Sequence, residues 1–155
     1  MKKITRSLIW TGVLLMLLSF LPGCARRAKI GDITKFHYHY TAGYAMYAYV
    51  NYDLELKDGG YTASVKPAGV PDEEARVFAV DEAFAKELKA ILKKYGVGSW
   101  NGFNKRNKHV LDGNSFSLSV CMGEEEIDAS GYMRWPKNYA DFTNAVRQLF
   151  DAAAK

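Results

Sequence analysis

Two cysteines, Cys24 and Cys121, are all that occur in 155 residues, too few for the disulfide framework that staples many small exported domains. Histidine is almost as scarce. His37, His39 and His109 are the whole supply, so a metal centre or a His-based catalytic centre has few groups to draw on. The sequence has no HExxH helix, no GxSxG elbow and no glycine-rich phosphate loop, which removes the commonest enzyme signatures. Its longest apolar stretch, residues 8–21, falls short of the roughly 20 residues that cross a bilayer. A basic stripe is missing too: Arg26, Arg27 and Lys29 form one small cluster and Lys105, Arg106 and Lys108, read as loop residues, another. Neither reaches what a nucleic-acid binder needs, and no nucleic-acid partner is expected.

What is present begins with an address. Lys2, Lys3 and Arg6 form a basic start, the apolar residues 8–21 follow, and the run closes on Leu21, Pro22, Gly23 and Cys24. This ending resembles the lipobox of bacterial lipoproteins. The resemblance implies that residues 1–23 are a removed signal peptide, that Cys24 becomes a fatty-acylated first residue, and that the chain lies in the cell envelope, attached to a membrane through that lipid. Ala25 after the cysteine, in place of Asp, favours the outer membrane in cells that have one. Loss of the leader lowers the formal net charge from +4 to +1, so most of the apparent basicity belongs to the signal. The roughly 130 residues that remain suffice for one domain: 24–33 as a lipidated tether and 34–155 as the folded unit.

Alternation dominates the first half of that unit. Phe36, Tyr38 and Tyr40 take one parity against His37, His39 and Thr41; a longer run from Tyr44 to Lys57 places Val50, Tyr52 and Leu54 against Tyr47, Tyr49, Asn51 and Asp53. Asp58, Gly59 and Gly60 turn the chain into a third strand, and residues 76–80 form a short edge strand. A helix follows, with Asp81 as N-cap, Phe84, Leu88, Ile91, Leu92 and Tyr95 as its apolar stripe and Gly96 as its stop. Residues 97–114 carry no periodicity, but Trp100 and Phe103 are expected to fold back onto the core. Phe116, Leu118, Val120 and Met122 then alternate with Ser115, Ser117, Ser119 and Cys121; a return strand holds Ile127 and Ala129, and a last helix buries Tyr139, Phe142, Val146, Leu149 and Phe150. The expected fold is α+β: an antiparallel sheet of about five to six strands with two helices packed on one face. Because each strand has one polar parity, the other face is expected to stay open.

That open face is the expected binding surface, collecting His37, His39, Tyr47, Tyr49, Asn51, Asp53, Thr62, Ser64, Ser117, Ser119 and Asp128. Aromatic rings among hydroxyls and amides on a rigid sheet suit a protein or glycan ligand. His37 and His39 point the same way and could offer two imidazoles to a metal, yet a third ligand from His109, Asp112 or Asp128 would have to come through the fold. They are therefore expected as two exposed histidines, and no cofactor is expected. Cys121 shares parity with three serines and lacks a neighbouring base, so it is expected as a quiet strand residue. Asp53 with Glu55, or Asp128 with Glu126, could in principle form the carboxylate pair of a glycosidase.

From residue 100 to residue 139 the chain reads WNGF, VLDGNSFSLSV and ASGYMRWPKNY. Trp100, Gly102, Phe103, Asp112, Gly113, Phe116, Leu118, Ala129, Ser130, Gly131, Pro136, Asn138 and Tyr139 make this region similar to a family of uncharacterised small bacterial lipoproteins, a resemblance that implies no activity or cofactor. Most of these residues read as scaffold, with Asn138 as a helix cap and Asp112 binding backbone N–H groups at a turn. The expected function is a lipid-anchored envelope binding module, more a binder than an enzyme; an envelope hydrolase acting on cell-wall or glycan material and a structural lipoprotein of an envelope complex are the alternatives.

Overall fold

The computed structural model describes residues 27–43 and 48–155; Cys24, the leader and Tyr47 lie outside them. The chain forms β1 (Lys35–Thr41), β2 (Tyr49–Lys57), β3 (Gly60–Lys66), β4 (Arg76–Val80), α1 (Glu82–Lys94), β5 (Phe103–Arg106), β6 (Ser115–Met122), β7 (Glu125–Tyr132) and α2 (Tyr139–Ala153). The class is α+β. Seven strands form one sheet in the order β4-β3-β2-β1-β6-β7-β5, against the five to six expected.

The excess and the departure from a purely antiparallel sheet have one source. β5, which carries Lys105 and Arg106 and was expected as loop, pairs in parallel with β7 at the sheet edge. A parallel neighbour normally needs a helical crossover. Here β5 reaches the far side of β7 while the chain returns over the end of that strand to begin β6: Asn107 N–H donates to the Tyr132 carbonyl at 2.9 Å and Met133 N–H to that of Asn114 at 2.9 Å. β6 and β7 are antiparallel, so β5 and β7 must run the same way.

The local signals explain the other elements. Asp58 and Gly59 both have positive φ, 52° and 81°, as the two-residue turn between β2 and β3 requires. Asp81 accepts from the Phe84 N–H at 3.0 Å and caps α1, and Gly96, at φ 70°, ends it. Asn138 does not cap α2 through its side chain; its amide instead donates to the Tyr95 carbonyl at 3.2 Å and ties the start of α2 to the end of α1.

One parity of the sheet supplies the core: Phe36, Leu54, Ala63, Val65, Val120 and Ile127 are essentially inaccessible. Phe150 of α2 stacks on Phe36 and meets Tyr52 and Phe84, while Phe142 packs edge-on against Tyr38 and Trp100. Each such ring contributes about 1.5–3 kcal/mol by leaving water. The stretch 28–33, expected as part of a tether, is seated on the fold: Ala28 and Ile33 are buried, and Ala28 N–H donates to the Gly98 carbonyl at 3.0 Å. No helix among the described residues is long and apolar enough to cross a membrane.

Candidate functional site

The polar parity forms continuous lateral rows. Strand register places Ser64, Asp53, His37, Ser119 and Asp128 side by side across β3, β2, β1, β6 and β7, with Asn51, His39, Ser117 and Ser130 in the next row. The described residues expected on one face are therefore brought together.

Hydrogen bonds lock these rows. His37 Nδ1 lies 2.5 Å from Asp53 Oδ1, and Ser64 donates to Asp53 Oδ2 at 3.1 Å. His39 uses both ring nitrogens, Nδ1 with Asn51 Oδ1 at 2.6 Å and Nε2 with Thr41 Oγ1 at 2.8 Å. Tyr49 donates to Asp72, and the buried Lys66 ammonium sits 3.4 Å from the centre of the Tyr49 ring. The side chains of His37 and Asp53 are 41% and 39% exposed, so the pair orients groups at a surface more than it stabilises the fold.

This geometry offers little chemistry of its own. Ser119 stands opposite His37 in register, yet no hydrogen bond joins them. Among the described residues no three His, Cys, Asp or Glu side chains are placed to hold a metal. Cys121 Sγ lies 3.8 Å from Glu126 Oε1, and burial together with the Glu126 carboxylate pushes its thiol up from the ordinary value, which makes it a poor nucleophile. Asp112 is exposed and makes no hydrogen bond to backbone N–H groups. A shallow hollow of about 470 Å³ lies at the β6–β7–β5 end of the face, where His37, Ser117, Ser119, Phe103 and Asp128 meet.

A second concavity was not expected from the sequence. An open cleft of about 480 Å³ lies between β1–β2 and the start of α2, walled by Tyr40, Trp135 and Tyr139 and reaching Tyr38 at its floor. Trp135 stacks on Tyr139 at 4.7 Å and 25°, and Tyr40 faces Trp135 at 6.4 Å. The β7–α2 connection holds this wall through two left-handed non-glycine residues, Met133 and Asn138, at φ 51° and 63°. Gly131 permits the turn, because a Cβ there would lie 2.1 Å from the Arg134 carbonyl and 2.6 Å from the Phe116 ring. Phe116 in turn backs both Trp135 and Tyr139. Gly131, Phe116, Asn138 and Tyr139, read as scaffold, thus build one wall of a cleft.

The Tyr38 and Tyr139 hydroxyls meet at 2.7 Å, and burial raises both well above the usual phenol range, so both stay protonated. Burial, helped by the Asp151 charge, pushes Tyr52 up to about 12. Asn144 and Arg147 of α2 line the mouth, Arg147 donating to Asn144 Oδ1 at 3.5 Å. The one sequence signal for this cleft was that the buried parity of β1 and β2 carries Tyr38, Tyr40 and Tyr52, rings whose hydroxyls need partners that Leu or Val would not. No protein-family model matches the chain, and no curated protein does.

Proposed function

We propose that this chain is a lipid-anchored binding module of the bacterial cell envelope, held to a membrane through Cys24 and using the polar face of its sheet to engage an envelope protein or glycan. In this reading the two helices cover one face of the sheet and leave the other to a partner. The observation that carries it is the row Ser64, Asp53, His37, Ser119 and Asp128, which crosses five strands without an apolar interruption and is half-exposed or exposed throughout. Side chains already fixed by their neighbours lose little freedom on binding. The anchor adds effective concentration: confinement near a membrane favours envelope partners without high intrinsic affinity. The outer membrane suits the Ala25 that follows Cys24.

Two measurements test the two halves of this reading. Cys24→Ser is expected to abolish incorporation of a fatty-acid analogue; continued labelling would remove the anchor. A photo-crosslinker at Asn51 or Ser119 in growing cells is expected to give one specific adduct that a crosslinker at the exposed Lys94 of α1 does not. Adducts absent from both sheet positions would mean that this face is not the working surface.

A further inference from the structure

We infer that the cleft between β1–β2 and α2 is a second ligand site, built for an acidic saccharide. The site is separate from the sheet face and independent of the anchor.

Its shape comes first. A volume of about 480 Å³ falls in the range of small-molecule sites and holds one or two sugar rings. The walls are flat: Trp135 and Tyr139 lie within 25° of parallel, with Tyr40 opposite Trp135 at 37°. Surfaces of this kind accept the C–H face of a pyranose, apolar area against apolar area, while the ring hydroxyls point sideways to polar groups.

The floor supplies an unused donor. Two phenol hydroxyls carry two protons, and the Tyr38–Tyr139 contact consumes one of them. No other acceptor meets either hydroxyl among the described residues, so one O–H is left to donate into the cleft that both residues line. A donor at that position is matched by an acceptor, and a sugar hydroxyl or ring oxygen supplies one.

Charge decides the class of saccharide. Arg147 is the single charged residue lining the cleft, and among the described residues it forms no ion pair, its one hydrogen bond going to Asn144; the Asp151 carboxylate, one turn further along α2, acts on Tyr52 but does not line the cleft. A guanidinium at the mouth of an aromatic slot complements a carboxylate through two parallel N–H donors, with the Asn144 amide beside it.

The test uses the full chain, purified in a detergent without a sugar headgroup, and two probes that differ at one carbon: methyl β-D-glucuronide, with a carboxylate at C6, and methyl β-D-glucoside, with a hydroxymethyl there. Saturation-transfer NMR titration at low salt is expected to show both sugars receiving magnetisation through their ring protons, with the glucuronide bound at least about tenfold more tightly. Arg147→Gln, at an exposed position, is expected to keep the thermal midpoint and erase the preference, and Trp135→Ala to remove binding of both. Equal affinity for the two sugars, a preference that survives in R147Q, or no transfer to either sugar would each overturn the inference. Should W135A fail to fold, R147Q decides alone.

Discussion

The hydroxyls of Tyr38 and Tyr139, 101 residues apart in the chain, meet at 2.7 Å and join the central strand of the sheet to the first residue of the last helix. Removing either hydroxyl breaks the same bond. Tyr38→Phe and Tyr139→Phe are each expected to lower stability by about 1 kcal/mol, and the double variant by clearly less than the sum, in urea unfolding with unchanged slope. Additive losses would mean that the two hydroxyls act independently.

Buried tyrosines also set an alkaline limit. Tyr52 is raised to about 12 in the folded chain, and Tyr38 and Tyr139 higher still, against 10.0 for an ordinary phenol. The folded state holds these protons more tightly than the unfolded chain does. The stability they confer is therefore complete below pH ~10 and falls as pH rises from there through the folded values. Urea midpoints measured between pH 8 and 11.5 are expected to stay level and then drop, and Tyr52→Phe is expected to soften the drop.

Gly131→Ala is expected to be among the costliest single changes. The new Cβ would lie 2.1 Å from a backbone carbonyl oxygen, which cannot swing aside as a side chain can. A loss of about 2–4 kcal/mol in chemical denaturation is expected, with a change in tryptophan emission as the 133–138 turn moves and Trp135 loses its contacts with Phe116 and Tyr139.

The Cys121 thiol is expected to alkylate slowly at neutral pH. Burial and the Glu126 carboxylate both disfavour the thiolate, so the pH midpoint for reaction with iodoacetamide should lie above that of a free thiol. Glu126→Gln removes the larger of the two carboxylate contributions, Asp128 supplying the other, and is expected to move the midpoint down without altering the fold.

Much of the scaffold was legible, and the reasons are local. Along β6, Phe116, Leu118, Val120 and Met122 are buried and the residues between them half-exposed, the alternation that its sequence announces. Asp81 caps and Gly96 ends α1 because a cap depends on the few residues beside it. β5 escaped for the opposite reason: four residues are too few for a period, and their partner, β7, lies more than 20 positions onward. The polar face was readable because side chains alternate along each strand, so parity alone assigns them to it; the pairing of β1 with β6, far apart in the chain, was not. The cleft was not, because Tyr38, Tyr40 and Tyr52 obey the same parity rule as core residues, and its other wall comes from Trp135 and α2, which lie far from them in the chain. Asn138 shows the same limit; in sequence it stands where a cap belongs, and in space it serves the end of the other helix.

The two outermost strands, β4 and β5, are also the shortest, at five and four residues. Each offers only a brief run of unpaired backbone, and each carries cations at the rim, Arg76 on one side and Lys105 with Arg106 on the other. Copies of this chain crowded side by side would meet, at these strands, through short borders that each carry a cation, which weakens any continuation of the sheet from one molecule into the next.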